Sequence, residues 1–348
     1  MHSEDKAAAV IIWLLAIIAI IGTAAWFIPY SWETIPGFAQ FGALAVWFSI
    51  VCVVTIVLAL RFREGIAAIV CGFCIIVQLL CMIPYLGHGS TELSPKTLEQ
   101  MAAMSNAEAK PDDRCARIMT LDTDWGGADP SEIVDTVRNQ KVEVLALQQA
   151  SDGLIATLEA DGLSDYLPKK IMSAPIDGTY NVIYTMADLH DASATSIDPQ
   201  NAKYPAATLD FDKKTIRFIC VRTVQPNSAT SAQWGKSLDA IADWAKNNVT
   251  NNDDTPYVVM GDFYATTNHK HFSNILDHNF RDAARVTRSG FQFTWPSDQG
   301  VLPAMATYDH ILVNSGVNVG NATTVKISGT SHKAVLAVVE PSHLDSSN

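Results

Sequence analysis

Three uncharged stretches within the first 88 residues constrain this 348-residue chain more than any other feature. They run over Ala7–Ile28, Phe38–Leu60 and Ile66–Leu86, and none contains Asp, Glu, Lys or Arg. A helix over each stretch is long enough to cross a hydrocarbon core of about 30 Å. A signal peptide would explain the first stretch alone, and a buried hairpin of a soluble protein rarely lacks charges over about 20 residues. We therefore predict three transmembrane helices within residues 1–88.

The placement of arginine predicts how these helices cross the membrane. The loop between the second and third stretches holds Arg61 and Arg63, whereas the loop between the first and second holds no basic residue. Because positively charged loops stay in the cytoplasm, we expect a cytoplasmic N-terminus and an extracytoplasmic C-terminal region. The spans hold no acidic, basic or histidine residue, which argues against a channel or transporter. We expect Gln78 to bond to a neighbouring helix.

The remainder of the chain has the composition of a globular protein. Residues 89–113 are polar and are predicted to form an extracytoplasmic stalk with a short helix near Leu98–Met104. Residues 114–340 are long enough for one domain with a sizeable core, and 341–348 form a tail. The region beyond residue 88 carries about −11 of the chain's net charge of −12. Since an acidic surface repels phosphates, we do not expect nucleic acid as a partner.

Helix and strand patterns alternate along this domain. Asp129, Pro130 and Glu132 mark a helix start, as cap, first helical residue and capping-box partner. Ser231–Asn247 has an amphipathic helical pattern, and the apolar run VEVLALQ is typical of a strand buried on both faces. Further strands are predicted in ARIMTLDT, NVIYT, ATLDF, TIRFICVRT, PYVVMGDF, YDHILV and HKAVLAVVE. This alternation, with hairpins mixed in, predicts an α/β layered sandwich with a mixed sheet.

Four motifs, taken in chain order, resemble the endonuclease/exonuclease/phosphatase family, which has the DNase I-like fold. They are TLDTDWGGAD with VEVLALQQ, FICVRT, VVMGDFYATTNH, and TYDHILV with GTSHKAVLAV. The resemblance covers about residues 114–340, and the preceding spans resemble a membrane-anchored actinobacterial subgroup. It implies a four-layered sandwich of two mixed sheets flanked by helices, with the active site at one end of the strands. It also implies hydrolysis of phosphate esters with a divalent cation.

Five positions depart from the family pattern. Asp122 and Gln149 stand where the family holds its metal with an Asn and a Glu. Arg222 replaces a His that contacts phosphate, and Tyr264 replaces the Asn of GDFN. Ser331 replaces the Asp that precedes the last His. Because a neutral amide is a poor ligand for a hard cation, we expect no cofactor, or Mg²⁺ or Mn²⁺ if the site is still active.

Three positions keep the family residue. By the resemblance, Asp262 positions and activates water, and Asp309 and His332 take acid–base and phosphate-binding roles. Because position 331 is not a carboxylate, we expect His332 to lack the acidic partner that would orient it and raise its pKa. The alternative for Asp309 and the adjacent His310 is that they hold strand ends together by hydrogen bonds, without any chemistry.

Two pairs of residues leave further alternatives open. His269 and His271 begin a short helix, where they are either solvated or belong to a zinc site without an evident third ligand. Cys115 and Cys220 lie in a region where a disulfide is chemically permitted, and the sequence does not say whether they meet.

The altered positions favour one function over another. We expect a catalytically degenerate binding or scaffold module of the cell envelope. Its cleft would bind an anionic ligand through Arg222, or its spans would contact an envelope protein. The alternative is a divalent-metal-dependent phosphoesterase that acts on an envelope phosphodiester or phosphomonoester, with Asp122 and Asp262 holding the cation.

Overall fold

The computed structural model describes residues 3–87, 89–104, 114–198, 202–211, 214–250 and 255–342. Residues 105–113 of the predicted stalk and 343–348 of the predicted tail lie outside these ranges. The helices are α1 (Ser3–Ala24), α2 (Tyr30–Glu33), α3 (Phe38–Ala43), α4 (Phe48–Arg61), α5 (Gly65–Met82), α6 (Pro95–Met104), α7 (Pro130–Gln140), α8 (Asp152–Ala160), α9 (Leu163–Tyr166), α10 (Ser231–Ala245), α11 (Lys270–Leu276) and α12 (Ala283–Thr287). The strands are β1 (Ala116–Asp122), β2 (Val144–Ser151), β3 (Lys169–Met172), β4 (Thr179–Thr185), β5 (His190–Asp198), β6 (Ala202–Phe211), β7 (Lys214–Arg222), β8 (Tyr257–Asp262), β9 (Phe280–Asp282), β10 (Asp309–Asn314), β11 (Val317–Lys326) and β12 (Lys333–Pro341).

Two six-stranded sheets form the centre of the domain. The first has the order β11-β12-β1-β2-β4-β3, and the second has the order β5-β6-β7-β8-β10-β9. β1 pairs parallel with β2, and β7 pairs parallel with β8, while the neighbouring pairs are antiparallel. The predicted sandwich of two mixed sheets flanked by helices is thereby confirmed.

Apolar side chains fill three layers of this sandwich. Between the sheets lie fully buried residues such as Ile118 and Phe218. The outer face of the first sheet packs on α7, α8 and α9, through residues such as Ile133 and Leu158. The outer face of the second sheet packs on α10 and α11, where Trp234 is fully buried. The burial of near-continuous apolar strands on both faces explains why VEVLALQ reads as an unbroken run.

The predicted start of α7 is confirmed in one half and wrong in the other. Asp129 caps the helix, since its carboxylate accepts from the backbone N–H of Glu132. The carboxylate of Glu132 does not complete a capping box, because it accepts from the backbone N–H and the hydroxyl of Ser328 instead. This contact ties the helix start to the loop before β12.

The N-terminal region differs from the prediction of three spans. Among the described residues, two helices are long and apolar enough to cross a membrane, over Lys6–Phe27 and Gly65–Tyr85. The prediction of a continuous span over Phe38–Leu60 is wrong, because a 3-10 turn at Ala45–Trp47 interrupts it. The shorter apolar helix Ala45–Arg61, which includes this turn and α4, covers about 26 Å. Gln78 bonds to a neighbouring helix as predicted, with its Nε2 2.8 Å from Thr23 Oγ1.

The interruption arises because residues 30–47, here named the connector, pack on the globular domain. Ala39 and Ala43 belong to the core cluster on the outer face of the second sheet. Gln40 Nε2 donates to the carbonyl of Pro226, and Trp47 Nε1 donates to the carbonyl of Met305 at 2.7 Å. Small apolar residues that would suit a lipid-facing helix are therefore buried against protein.

The connector also binds the two histidines at the start of α11. His269 Nε2 donates to the carbonyl of Ala39 at 2.8 Å, and the ring of His271 stacks on Tyr30 with centroids 3.7 Å apart. The carboxylate of Glu33 accepts from the backbone N–H groups of Lys270 and His271. The expectation of solvated histidines is wrong, because both are buried. No group of three metal-ligating side chains in the described ranges includes either histidine.

The described part of the predicted stalk packs along the domain. The carboxylate of the buried Glu340 accepts hydrogen bonds from Ser94 and Thr97, and Glu92 pairs with Arg281. The predicted short helix is confirmed as α6. Cys115 and Cys220 are both buried free thiols, so they form no disulfide.

Candidate functional site

The predicted site residues meet where the parallel strand pairs end. Asp122, Arg222 and Asp262 are the last residues of β1, β7 and β8, and Asp309 is the first of β10. Asp262 lies opposite both Arg222 and Asp309 in the strand registers. Parallel strands β1 and β2, and β7 and β8, present their carboxyl ends at the same edge, which explains the gathering. Asp122, Asp262, Asp309 and His332 are all at most 1% exposed.

Asp309 and His332 form a buried hydrogen-bonded pair. His332 Nδ1 lies 2.8 Å from Asp309 Oδ2. Burial by itself would lower the pKa of His332, but the charges of Asp309 and Asp262 outweigh it and raise the pKa to about 10. The expectation that His332 lacks an acidic partner is wrong. The partner comes from the start of β10 rather than from position 331.

Asp262 completes a cluster with this pair. Its Oδ1 accepts from the backbone N–H of Tyr264 at 2.8 Å, while its Oδ2 and Oδ1 of Asp309 have no hydrogen-bond partner among the described residues. Burial raises the pKa of Asp262 well above its usual range, and the nearby charge of His332 opposes this rise. Ligand atoms of Asp262, Asp309 and His332 lie within 4.8 Å of one another, a geometry that could hold a metal ion or share a proton.

Asp122 and Arg222 form a second, partly buried ion pair. Arg222 Nε lies 3.0 Å from Asp122 Oδ2, and the guanidinium stands 5.5 Å from the ring centroid of Tyr264. Burial would lower the pKa of Arg222, but Asp122 and the neighbouring acidic groups raise it, so the side chain stays charged. Tyr264 also meets His332 edge to face at 5.8 Å, and it thereby lies between the two ion pairs.

Gln149 stands in strained backbone beside this ion pair. It has a φ of 53° and lies in a β-bulge between Leu147 and Ala150. Such left-handed residues cost on the order of 1–3 kcal/mol and persist where the surroundings impose them. The side chain is 3% exposed, and its Nε2 has no hydrogen-bond partner among the described residues. A buried donor is therefore held ready at the site.

The side chains of Asp122 and Gln149 do not fit a divalent cation. The guanidinium of Arg222 already neutralises the carboxylate of Asp122, and Gln149 brings no charge. A hard cation that keeps few protein ligands needs carboxylate oxygens. The cluster of Asp262, Asp309 and His332 offers two unpartnered carboxylate oxygens, so it is the better of the two places for a metal.

The remaining predicted residues support the site from its edges. The backbone carbonyl of Ser331 accepts from the N–H of Ser297 at 2.7 Å. His310 bonds to Asp282 Oδ2 at 2.6 Å and to the carbonyl of Ala265 at 2.9 Å, so it holds strand ends together, as the structural alternative proposed.

Trp125 is a site residue that the sequence analysis did not single out. Together with Gln149 and Arg222 it lines a cleft with a volume of about 340 Å³. Its side chain is 54% exposed, and both Asp124 and Trp125 have left-handed backbone, with φ of 49° and 60°. The backbone N–H of Asp124 donates to Asp122 Oδ1 at 2.8 Å. The available signal was an aromatic residue in DWGG directly after a buried strand.

Comparisons with solved structures show the fold. A truncated TDP2 of Caenorhabditis elegans is 16% identical, with a TM-score of 0.51 over 65% of this chain and 98% of that chain. A humanised D. rerio TDP2 is 12% identical, with a TM-score of 0.54 over 66% and 100%. An AP endonuclease of Archaeoglobus fulgidus is 14% identical, with a TM-score of 0.51 over 64% and 98%. At these identities the likeness concerns the fold alone.

Sequence comparison shows the family. No curated protein matches the chain at a significant level. The family model described as "Endonuclease/Exonuclease/phosphatase family" matches residues 119–332, which is more than half of the chain and contains every predicted site residue. The chain therefore belongs to the endonuclease/exonuclease/phosphatase family, a phosphoesterase family that is generally dependent on divalent metal ions, and it has the DNase I-like fold.

Proposed function

We propose that this protein is a membrane-anchored, catalytically degenerate member of its family, which binds an anionic ligand of the cell envelope outside the cytoplasm. The two long apolar helices support the anchor. Arg61 and Arg63 precede α5, and the positive-inside rule therefore favours a domain outside the cytoplasm after α5. The connector follows α1 and contacts the domain, which supports placing the ends of α1 and α5 on the same side. In this arrangement the chain returns across the membrane through the shorter apolar helix Ala45–Arg61.

The observation that carries this proposal is the ion pair between Arg222 and Asp122. In this chain a fixed guanidinium neutralises the carboxylate at a position where the family holds a metal ion. Its planar set of N–H donors matches phosphate or carboxylate oxygens. The Arg222 side chain is 21% exposed and lines the cleft, so part of the guanidinium can reach a ligand.

The same exchange weakens the case for hydrolysis. A metal ion stabilises the charge that develops on phosphate during attack, and Gln149 and Arg222 remove the ligand set for a metal beside Asp122. Removal of one such electrostatic contribution typically costs about 10²–10³ in rate. Binding of the anionic group requires only the positive charge, which Arg222 retains.

The test is titration of inorganic phosphate into the full-length protein in detergent, followed by calorimetry with and without EDTA. We expect binding that EDTA does not change, weaker binding in Arg222→Lys, and none in the double variant Asp122→Asn, Arg222→Gln. The lysine variant keeps the positive charge but loses the planar set of N–H donors. The double variant avoids an unpaired buried carboxylate. Binding that needs Mg²⁺, or that survives in the double variant, would refute the proposal.

A second candidate function is a divalent-metal-dependent phosphoesterase. The observation that favours it is the cluster of Asp262, Asp309 and His332, with its two unpartnered carboxylate oxygens. The test is hydrolysis of bis(p-nitrophenyl) phosphate and p-nitrophenyl phosphate with Mg²⁺, Mn²⁺ or chelator. Metal-dependent turnover that Asp262→Asn abolishes would establish this function instead of the first.

A further inference from the structure

We infer that the ligand carries a sugar or a similar polyhydroxylated ring next to its phosphate group. This inference rests on the proposed function, because Arg222 would hold the phosphate. The observations that carry it lie in the part of the cleft beyond Arg222. The chemical class would be a glycosyl phosphate.

The cleft is larger and more neutral than a phosphate site requires. Its volume of about 340 Å³ falls within the range of about 300–1,000 Å³ that ligand pockets occupy. Only two charged side chains line it among the described residues, Arg222 and Asp177. A second phosphate would find no further cation there, and a lipid tail would find too little apolar surface. The lining therefore suits one anionic group joined to a neutral polar group.

Side-chain amides dominate the polar lining of the cleft. Each carboxamide offers two N–H donors and one acceptor oxygen, and each sugar hydroxyl both donates and accepts. A ring with several neighbouring hydroxyls can therefore bond to several amides at once. The five carboxamide residues that line the cleft are Gln149, Asn181, Gln225, Asn227 and Gln233. Two of them are already engaged in part, since Asn227 Oδ1 accepts from the backbone N–H groups of Ala229 and Thr230, and Gln233 has a partner within the protein.

Gln149 gives direct evidence that a polar ligand belongs in the cleft. Its Nε2 is buried without a hydrogen-bond partner among the described residues, and its backbone is held in a left-handed conformation. A buried unpaired donor is destabilising unless something accepts from it. A ligand hydroxyl can accept a hydrogen bond from Gln149 Nε2, and it brings no charge to the neutral amide.

Trp125 supplies the flat surface on which a sugar ring packs. Its indole is more than half exposed, although a large apolar ring gains by burial. Two successive residues in left-handed backbone, Asp124 and Trp125, hold it at the cleft, and the hydrogen bond from Asp124 to Asp122 fixes this turn. Because Asp122 also bonds to Arg222, one carboxylate sets the spacing between the phosphate position and the ring position.

The test compares ligands by calorimetry on the full-length protein in detergent with EDTA. The probes are inorganic phosphate, glucose, adenosine monophosphate, and the 1-phosphates of glucose, galactose, mannose and N-acetylglucosamine. We expect at least one sugar phosphate to bind about 10-fold more tightly than phosphate. In Trp125→Ala this advantage should disappear. Trp32→Ala is the matched control, since Trp32 is 52% exposed and lies in the connector, and it should keep the advantage.

The outcomes separate this inference from the proposed function. If phosphate binds through Arg222 but no sugar phosphate binds more tightly, or if Trp125→Ala keeps the advantage, the inference is overturned and the proposed function stands. If phosphate does not bind at all, the proposed function fails first. Tighter binding of adenosine monophosphate than of every sugar phosphate would overturn the sugar in favour of a nucleobase on Trp125.

Discussion

The two halves of the site match the family resemblance to different degrees. The cation half, Asp122 with Gln149, Arg222 and Tyr264, departs from the family residue at every position. The proton half, Asp262 with Asp309 and His332, keeps the residues that the family resemblance implies, and Asp309 and His332 form a hydrogen bond. Each half still pairs a buried carboxylate with a cation, but the cation of one half cannot lose its charge and that of the other can. One half therefore carries a fixed charge, whereas the charge of the other half can be lost with a proton.

The largest expected effect comes from breaking the cation half. Arg222→Gln leaves the fully buried Asp122 without its cation, and we expect a loss of about 3–5 kcal/mol in the free energy of unfolding. Thermal unfolding of the full-length protein measures this loss as a lower Tm. The double variant Asp122→Asn, Arg222→Gln should recover most of it, because it leaves no charge unpaired. A loss below about 1 kcal/mol in the single variant would show that the pair does not support the fold.

The proton half should make the free energy of unfolding depend on pH. The pKa of His332 in the folded protein, about 10, exceeds the usual value of about 6.5. Its pairing therefore stabilises the fold fully below pH 6.5 or so, and this contribution is lost as pH rises through about 10. We expect a decline on the order of 5 kcal/mol, which His332→Gln flattens. An equal decline in that variant would place the titrating group elsewhere, with Asp262 the first to examine.

Substituting the residues that the family resemblance implies should exchange the fixed charge of Arg222 for a site that binds a metal ion. In the triple variant Asp122→Asn, Gln149→Glu, Arg222→His, we expect millimolar Mg²⁺ to stabilise the fold by about 1–3 kcal/mol, seen as a rise in Tm. The unmodified protein serves as the control and should show no such rise. A similar rise in both would mean that the cation binds at the proton half.

The smallest expected effect concerns Tyr264, which lies between the halves. Its hydroxyl is 3.5 Å from Arg222 Nη2, which is long for a hydrogen bond. Tyr264→Phe keeps the ring beside the guanidinium, so we expect a change below about 0.5 kcal/mol in the free energy of unfolding. Tyr264→Leu removes the ring and should cost about 1 kcal/mol more. Equal Tm values for the two variants would exclude a cation–π contribution.

That the site residues lie close together was predictable from the sequence, whereas the hydrogen bonds between them were not. The motif order implied a family fold, and that fold brings the ends of β1, β7 and β8 together with the start of β10. The acidic partner of His332 could not be predicted from the residues next to it in the sequence. The bond runs instead from the residue before β12 to Asp309, and only the packing of one sheet on the other brings them together.

The interrupted second span shows a different limit of sequence reasoning. A transmembrane span is predicted from the length of an apolar stretch and from its lack of charged residues. Phe38–Leu60 satisfies both criteria. Small apolar residues such as Ala39 and Ala43 are equally suited to lipid and to a protein interior. Their burial depends on α10 and α11, which lie far along the chain. His269 and His271 were misjudged for the same reason, since their partners lie in the connector.

The connector has a consequence for the order in which this protein is completed. Gln40 bonds to a residue 186 positions further along the chain, and Glu33 to one 237 positions further. Since synthesis runs from the N-terminus, both side chains leave the ribosome long before their partners exist. Gln40 must remain hydrated until Pro226 is made, and Glu33 until α11 is made, so a nascent chain that stops short of residue 270 leaves part of the connector without its partners. The connector can pack fully on the domain only after most of the domain has been synthesised.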